Sequence, residues 1–372
     1  MFNVEKKNIT LGFMPLTDSA PVVVAYEMGL FERWGLNVTL TKQNSWATLR
    51  DKLHSGIIDA AQMLAPMPIA SNLGLYGEKS QVISPMILSR NGNGITLSSE
   101  LYQKILSQQN SIEISMPFSA EILQHEIDER KKEADKLTFA VVFPYSCHYY
   151  QLLEWLRRSN IALTDINLLF VPPSDMVPSM QSGDLDGFCV GGPWNAKAVR
   201  EGVGVTGVTS SDLWQDSPEK VLGLMSDWQL KHPQTTFALV SALYEACQWL
   251  ENVPNRFEAA RLLSRAKYLD THMDVIAPSL LGSCLTFNNK TPRKVPTYNQ
   301  FSTLGDPAFN KPAHHCGENI ANLMQEYGHI SAEQHANLDL AAIYKKDIYQ
   351  TVINSIEITR LEKARAKIAH HL

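Results

Sequence analysis

Short apolar segments rich in β-branched residues alternate with segments of helical periodicity, and this alternation constrains the fold more than any other feature of the chain. The predicted strands are 9–16, 37–42, 59–64, 81–88, 139–143, 167–171 and 186–190. Strands that alternate with helices in this way favour an α/β protein with largely parallel sheets. Because 372 residues exceed the usual size of one hydrophobic core, the sequence also predicts two lobes.

The division between the lobes follows from the order of these segments. We predict that residues 1–90 and 226–372 form the first lobe, including a C-terminal helical extension, and that residues 91–225 form the second. The charged segment 119–136 is predicted as a solvated surface helix, and the polar, loop-rich segment 286–316 as an extension that wraps the surface. Two lobes joined by crossing segments place a cleft between them, and a ligand would lie there beyond the carboxyl ends of the strands.

Charge and cysteine content exclude several classes of protein. A net charge of -5 provides no polycationic surface for a phosphate backbone, so we expect no direct nucleic-acid binding. The five cysteines are scattered, odd in number and without a C-x-x-C pair, which fits a reducing compartment. The N-terminus shows no export signal and no segment approaches the length of a membrane span. If no leader has been removed, the expected location is the cytoplasm, with no membrane association.

Helix starts are the strongest functional signal that the residues themselves give. A helix N-terminus exposes unpaired backbone N–H groups and a partial positive charge, so several that converge on one cleft form an anion site. The sequence predicts four such starts, at Asp18-Ser19-Ala20, Ser45-Trp46, Ser146-Cys147-His148 and Gly191-Gly192-Pro193-Trp194.

Three residues at these starts, and one lysine elsewhere, have both a functional and an ordinary interpretation. Trp46 could donate its indole N–H to an anion or simply pack between helices, and His148 could be a ligand or a structural histidine. Gly191 could let a ligand approach the backbone closely or serve a tight turn. Lys220, at the start of a β-type segment that could cross between lobes, could neutralise a buried monoanion or be solvated like an average lysine.

Motifs of common enzymes are missing from the sequence. There is no G-x-x-x-x-G-K-[ST], no G-x-G-x-x-G after a strand, no H-E-x-x-H and no G-x-S-x-G pattern, so we expect no enzymatic activity and no cofactor. His314-His315-Cys316 is a weak metal signal because no second spaced pair accompanies it, and we expect no metal site.

Several long segments resemble one family. They are LTDSAPVVVAYEMGLFERWGLNVTL, SWATLRDKL, DAAQMLAPMP, GDLDGFCVGGPWN and DSPEKVLGLMSDWQLKHP. Together they resemble the nitrate- and bicarbonate-binding proteins of ABC importers and their cytoplasmic relatives, the NasS-type nitrate and nitrite sensors. The resemblance covers nearly the whole chain, and it implies a type II periplasmic-binding-protein fold with an anion held in the interlobe cleft.

The resemblance also implies a set of anion ligands. In the nitrate binders these are the tryptophan of S-W-A, a glutamine after N-G, a histidine after the F-P strand end, a glycine of V-G-x-P-W and the lysine of P-E-K. Carried over to this chain, they become Trp46, Asn93, His148, Gly191 and Lys220. Asn93 departs from the pattern because its side chain is one methylene shorter than glutamine, which affects its reach and the preference between nitrate and nitrite.

The expected absence of a leader favours the sensors over the importer subunits. Such sensors hold an RNA-binding antiterminator of the NasT type inactive and release it when the anion binds, which switches on nitrate assimilation genes. One alternative is a bicarbonate-binding transport subunit, whose hydroxyl-bearing ligand would favour a carboxylate or a bound cation in the cleft. Another is a pyrimidine synthase of thiamine biosynthesis, which shares the fold and uses pyridoxal phosphate, although its cysteine-rich segment is missing here.

Overall fold

Two β-sheets form the framework of the molecule. The computed structural model describes the backbone of residues 3–369 and the side chains of residues 3–359 and 362. The strands are β1 (Asn8–Phe13), β2 (Asn37–Lys42), β3 (Ala60–Leu64), β4 (Val82–Asn91), β5 (Asn93–Ser98), β6 (Leu137–Val141), β7 (Ile166–Phe170), β8 (Gly187–Gly191), β9 (Gly204–Thr209), β10 (Pro218–Met225), β11 (Ser283–Cys284), β12 (Arg293–Lys294) and β13 (Asn299–Gln300). Every strand predicted from the sequence is present, with ends shifted by up to three residues.

The first sheet has six strands in the order β13-β4-β10-β3-β1-β2. Strands β1, β2 and β3 pair in parallel, whereas β10 pairs antiparallel with β3 and β4. Residues 218–225, which the predicted division assigned to the second lobe, therefore lie in the middle of the first sheet. The physical reason is their burial. All of them except Met225 are buried, and in a central strand the backbone N–H and C=O groups on both edges find hydrogen-bond partners in the neighbouring strands.

The second sheet has five strands in the order β7-β6-β8-β5-β9. Strand β6 pairs in parallel with β7 and β8, and β5 pairs antiparallel with β8 and β9. Both sheets are thus mixed, and the expectation of largely parallel sheets was wrong. Residues typical of turns occur in both strands, namely the Asn-Gly pair that begins β5 and the two glycines of β9. They are nevertheless buried, with the Thr96 and Thr206 hydroxyls hydrogen-bonded at 2.8 Å.

Helices cover both faces of these sheets. They are α1 (Ala20–Glu27), α2 (Leu30–Arg33), α3 (Trp46–His54), α4 (Met67–Leu73), α5 (Ser99–Gln108), α6 (Gln124–Lys132), α7 (Cys147–Arg157), α8 (Met176–Gln181), α9 (Trp194–Arg200), α10 (Ser210–Leu213), α11 (Ser226–Lys231), α12 (Pro233–Trp249), α13 (Val253–Leu263), α14 (Met273–Leu280), α15 (His314–Glu326), α16 (Ala332–Ala336), α17 (Leu340–Ile343) and α18 (Lys346–Ala369). Across residues 3–369, none of the helices combines the length and the apolar character that a membrane crossing requires.

Two of the predicted helix starts are capped by serine. The Ser45 hydroxyl accepts from the backbone N–H of Thr48 at the start of α3, and the Ser146 hydroxyl accepts from Tyr149 N at the start of α7. These caps fix where each helix begins, and they place Trp46 and His148 in the first turns. The charged segment 119–136 contains α6, which is a surface helix as predicted, with only Glu126 and Ile127 buried.

The two lobes are packed against each other. A continuous apolar cluster runs from α3 and α4 on the first sheet into the core of the second lobe. A second cluster packs the opposite face of the first sheet against α1, α12 and α13. Backbone contact between the lobes includes a hydrogen bond from Thr17 N to Gly192 O at 2.7 Å. The structure is therefore a closed one, with the cleft side chains buried.

The C-terminal residues contact both lobes. The Tyr344 hydroxyl donates to Ala65 O in the first lobe at 2.9 Å. In the second lobe, the Tyr150 hydroxyl lies 2.8 Å from His329 Nδ1, and Arg293 forms an ion pair with Asp212. The C-terminal extension therefore joins the lobes instead of belonging to the first alone.

Gly92 marks the first crossing from one sheet to the other. It lies between β4 and β5 with a φ of 100°, a conformation that L side chains rarely adopt. A Cβ added there would lie 2.6 Å from the side-chain oxygen of Asn299. Glycine is therefore required at this position both for its backbone conformation and for the close approach.

We expect Gly92→Ala to lower the free energy of unfolding by roughly 2–4 kcal/mol, because backbone strain and overpacking add together. Urea unfolding followed by circular dichroism measures this change. Gly56→Ala is the matched control, since Gly56 also has a positive φ but has open space around its Cβ position. We expect the control to cost about 1 kcal/mol. Equal losses in the two variants would contradict the role given to the Asn299 contact.

Candidate functional site

A buried cluster of polar side chains lies where the lobes meet. Strand β10 contributes Glu219 and Lys220, and the first turns of α3 and α7 contribute Trp46 and His148. Asn93 begins β5. Each of these side chains is at most 1% exposed. Groups of this polarity are rarely buried so completely unless each one has a partner, so the contacts of the cluster indicate what it can bind.

Lys220 is the cation of the cluster. Its ammonium lies 2.8 Å from Asp18 Oδ2, 2.7 Å from Glu219 Oε1 and 5.5 Å from the centre of the Trp46 ring. Burial by itself would lower the pKa of Lys220, but the two carboxylates outweigh burial and raise that pKa. The lysine therefore stays charged, with two acidic partners around one positive charge.

Glu219 and Lys220 are consecutive residues, yet both side chains enter the cluster. Side chains normally alternate between the two faces of a strand. The pairing of β10 with β4 shifts register on either side of Lys220, which is the signature of a bulge. A bulge redirects a side chain, and this one brings a carboxylate and an ammonium to the same point.

His148 is neutral in this environment. Burial lowers the pKa of its imidazole well below the ordinary value, and the nearby Lys220 charge lowers it further. Its Nδ1 lies 3.7 Å from Glu219 Oε1, beyond hydrogen-bonding distance. Burial also raises the pKa of Glu219, although Lys220 and Asn93 act in the opposite direction.

Asn93 does not offer the free amide donor that the resemblance implies. Its Nδ2 donates to Glu219 Oε2 at 2.7 Å and to Gln151 Oε1 at 2.9 Å, so both of its hydrogens are used. Gln151, one turn after His148 on α7, accepts through its oxygen and keeps its Nε2 free of partners among the described residues. In this structure the available amide N–H therefore belongs to Gln151.

Three donor side chains of the cluster have buried atoms with no hydrogen-bond partner in the described part of the chain. They are Trp46 Nε1, Gln151 Nε2 and the two ring nitrogens of His148. Leaving such a group buried and unsatisfied costs about 1–3 kcal/mol. An indole N–H, an amide N–H and an imidazole N–H beside an ammonium suit a small ligand that is rich in acceptors, and an oxyanion has that chemistry.

Gly191 is also at this point of the fold. It is the last residue of β8 and pairs with Asn93. A Cβ placed on it would meet Asn93 Oδ1 at 3.4 Å and Asp18 Oδ2 at 3.5 Å, which is ordinary contact. The structure thus brings Trp46 and the four other residues proposed from the sequence, Asn93, His148, Gly191 and Lys220, into one neighbourhood.

Sequence reasoning missed three members of the cluster. Asp18 had been noted only for its helix start, but it bonds Lys220 and also accepts from Gln62 Nε2 at 2.9 Å. Glu219 precedes Lys220 and should point away on a regular strand, so only the bulge reveals its role. Gln151 could have been found from its i, i+3 spacing to His148, which places both on one face of α7.

The histidine pair at residues 314–315 lies at the start of α15. His314 Nδ1 is 3.2 Å from Glu318 Oε1. Among the described side chains, no group of three His, Cys, Asp or Glu residues is arranged to hold a metal ion.

If the cluster holds an oxyanion, we expect Trp46→Phe to weaken its binding about 10- to 100-fold, because a hydrogen bond to a charged group contributes about 1.5–3 kcal/mol. Isothermal titration calorimetry measures the change. The indole nitrogen has no protein partner, so the fold loses no hydrogen bond. Trp155→Phe is the matched control, because Trp155 donates to Phe118 O away from the cluster. We expect it to reduce stability without changing affinity, and equal affinity losses in both variants would remove Trp46 from the site.

Comparison with known proteins gives relatives of stated function. The chain is 38% identical over 287 residues to the nitrate/nitrite binding protein NrtA of Synechococcus elongatus, covering 75% of this chain and 62% of the relative. It is 39% identical over 276 residues to the bicarbonate transport ATP-binding protein CmpC of Synechocystis sp., covering 73% and 39% of the two chains. The chain therefore spans less than two thirds of the length of either curated relative.

A solved structure matches over nearly the full length. The periplasmic nitrate-binding protein NrtA from Synechocystis PCC 6803 superimposes with a TM-score of 0.86 at 26% identity, covering 95% of this chain and 90% of that one. This match confirms the predicted periplasmic-binding-protein fold. The model of the NMT1-like family matches residues 3–264, which is well over half of the chain. This protein belongs to the NMT1-like family, among relatives that include nitrate/nitrite- and bicarbonate-binding proteins.

Proposed function

We propose that this protein binds nitrate or nitrite in the buried cluster between its lobes. The observation that carries the proposal is the set of unpartnered donor atoms on Trp46, His148 and Gln151 beside the Lys220 ammonium. A small planar anion has acceptors for each of these groups. The relatives named as nitrate-binding proteins support the same ligand class, and their named role is binding, not catalysis.

The dimensions of the cluster support a small ligand. The Lys220 ammonium and the centre of the Trp46 ring are 5.5 Å apart, and the surrounding side chains are fully buried. A buried anion that lost its water would need direct hydrogen bonds to replace those that it gave up. The indole, imidazole and amide N–H groups supply them from different sides, and the ammonium supplies the charge.

Thermal unfolding in the presence of separate anions tests this proposal. A ligand that binds only the folded state stabilises it by about 2.7 kcal/mol at a concentration one hundred times its Kd. We expect nitrate or nitrite to raise the melting temperature, and formate, which has two oxygens where nitrate has three, to raise it less than nitrate does. Chloride at equal ionic strength is the control. Equal stabilisation by chloride and nitrate would contradict a built oxyanion site.

We further propose that the protein acts in the cytoplasm as a sensor of the NasS type. In this proposal the anion-free protein holds an RNA-binding antiterminator of the NasT type and releases it when the lobes close on the anion. The position of the cluster supports such a mechanism, because its ligands come from both lobes and the anion would therefore favour the closed state. The nitrate assimilation genes would then respond to the anion through the released partner.

An ABC transporter subunit that binds nitrate or bicarbonate is the second candidate. The relatives support it equally, since one of them is named a bicarbonate transport protein. Glu219 favours bicarbonate in particular, because its carboxylate lies within the cluster and could accept from the ligand hydroxyl. Including bicarbonate in the thermal titration separates the two ligands. Stabilisation by bicarbonate alone would favour the second candidate.

A further inference from the structure

The cluster has more negative than positive groups even before an anion binds. Two carboxylates, Asp18 and Glu219, surround the single Lys220 ammonium, and all three side chains are at most 2% exposed. Among the other groups that face Glu219, His148 is neutral. Burial raises the pKa of the Cys147 and Cys189 thiols, the nearest titratable groups on α7 and β8, so they are neutral too. With both carboxylates ionised, the cluster carries one net negative charge before any ligand enters.

We propose that the site takes up one proton together with the anion, and that Glu219 holds this proton. The inference rests on the proposed function, since it concerns the same anion site. A monoanion beside two ionised carboxylates and one ammonium would leave two net negative charges away from water. When acidic groups share a buried site, protonation of one of them relieves the repulsion. The anion then enters a cluster that has become neutral.

The contacts of the two carboxylates distinguish Glu219 from Asp18. Both carboxylates pair with Lys220, and Asp18 Oδ1 also accepts from Gln62 Nε2. Glu219 Oε1 instead lies 3.7 Å from His148, one of the groups proposed to bind the anion. Glu219 is thus the carboxylate that an anion at His148 would approach.

Protonation of Glu219 does not break the network around it. A protonated carboxyl group keeps acceptor capacity on both oxygens, so the bonds from Asn93 and Lys220 remain possible. The new O–H is an additional donor. Burial already raises the pKa of Glu219 in the structure without an anion, so less free energy is needed to protonate it when the anion binds.

Proton uptake makes anion affinity depend on pH in a defined direction. Nitrate does not titrate near neutral pH, so any dependence comes from the protein. Below the pKa of Glu219 in the free protein, the carboxyl is already protonated and affinity is constant. Above that pKa, each binding event must bring a proton, and affinity falls by up to tenfold for each unit of pH.

Calorimetric titration of the full chain with nitrate, at several pH values from 6 to 9, tests the inference. Repeating each titration in buffers of different ionisation enthalpy gives the number of protons taken up. We expect uptake to approach one proton per nitrate within this range and affinity to fall at least tenfold from pH 6 to pH 9. The wild-type measurement decides by itself, so the test does not depend on whether a variant folds.

Two variants assign the proton. Glu219→Gln is neutral at every pH, so we expect its proton uptake to vanish and its affinity at pH 9 to exceed that of the wild type. Glu126→Gln is the matched control, because Glu126 is equally buried but pairs with Lys104 and Arg130 in the second lobe. We expect the control to take up protons as the wild type does.

Each outcome has a separate meaning. Nitrate binding without proton uptake anywhere from pH 6 to pH 9 would overturn the inference while leaving the proposed function intact. Uptake that persists in Glu219→Gln would overturn the assignment to Glu219. No binding of nitrate, nitrite or bicarbonate at any pH would overturn the proposed function itself.

Discussion

Replacing Lys220 with methionine is expected to abolish anion binding and to lower the free energy of unfolding by about 3–5 kcal/mol. The loss of stability follows from the Asp18 and Glu219 carboxylates, which would remain buried without the ammonium that now lies within 3 Å of both. The loss of binding follows because the anion would meet two carboxylates and no formal positive charge. Urea unfolding and calorimetric titration with nitrate measure the two effects.

A triple variant separates stability from binding. Combining Lys220→Met with Asp18→Asn and Glu219→Gln removes all three charges and keeps similar side-chain shapes. We expect this variant to regain part of the lost stability, since no charge is then left buried without a partner. It should still fail to bind nitrate. A triple variant that binds nitrate as tightly as the wild type would show that Lys220 is not a ligand.

If the protein holds an antiterminator as proposed, nitrate or nitrite is expected to dissociate that complex. A ligand that joins two lobes can release a partner only if the partner prefers the open state. Shifting the complex from mostly bound to mostly free requires roughly 3–5 kcal/mol of difference in anion affinity between the two states. Size-exclusion chromatography of the mixed proteins, with and without the anion, measures this release.

Trp46→Phe is the control for the release experiment, because it weakens anion binding without removing a protein hydrogen bond. We expect its complex to form normally and to need a higher nitrate concentration for release. By reciprocity, the partner must weaken anion binding by the same factor. A complex that survives saturating nitrate and nitrite, or that never forms, would remove the sensor role and favour a transport subunit.

Much of the fold could be predicted from the sequence because local signals agree with tertiary structure. The apolar segments at residues 37–42 and 60–64 are strands, and the serines at positions 45 and 146 cap helices where their spacing predicted. Such signals are local, since a cap needs only a few neighbouring residues. Strands β5 and β9 were missed because the Asn-Gly pair of β5 and the two glycines of β9 are typical of turns, and only pairing in the sheet makes these segments strands.

The residues that make up the candidate site were harder to predict from the sequence than the fold. The helix starts pointed to Trp46 and His148, but the mixed sheet order that places Lys220 beside Asp18 depends on long-range pairing. Glu219 enters the cluster because of a bulge in β10, and no local sequence pattern predicts a bulge there. The free amide N–H belongs to Gln151 and not to Asn93 because of a hydrogen bond between β5 and α7, which local sequence does not reveal.

A crystal structure of the protein grown with nitrate tests the central claim most directly. We expect one planar anion beside the Trp46 ring, within hydrogen-bonding distance of Trp46 Nε1, a His148 ring nitrogen and Gln151 Nε2, with the Lys220 ammonium as its counter-charge. An anion bound elsewhere at saturating nitrate, with these donors turned to other protein groups, would contradict it.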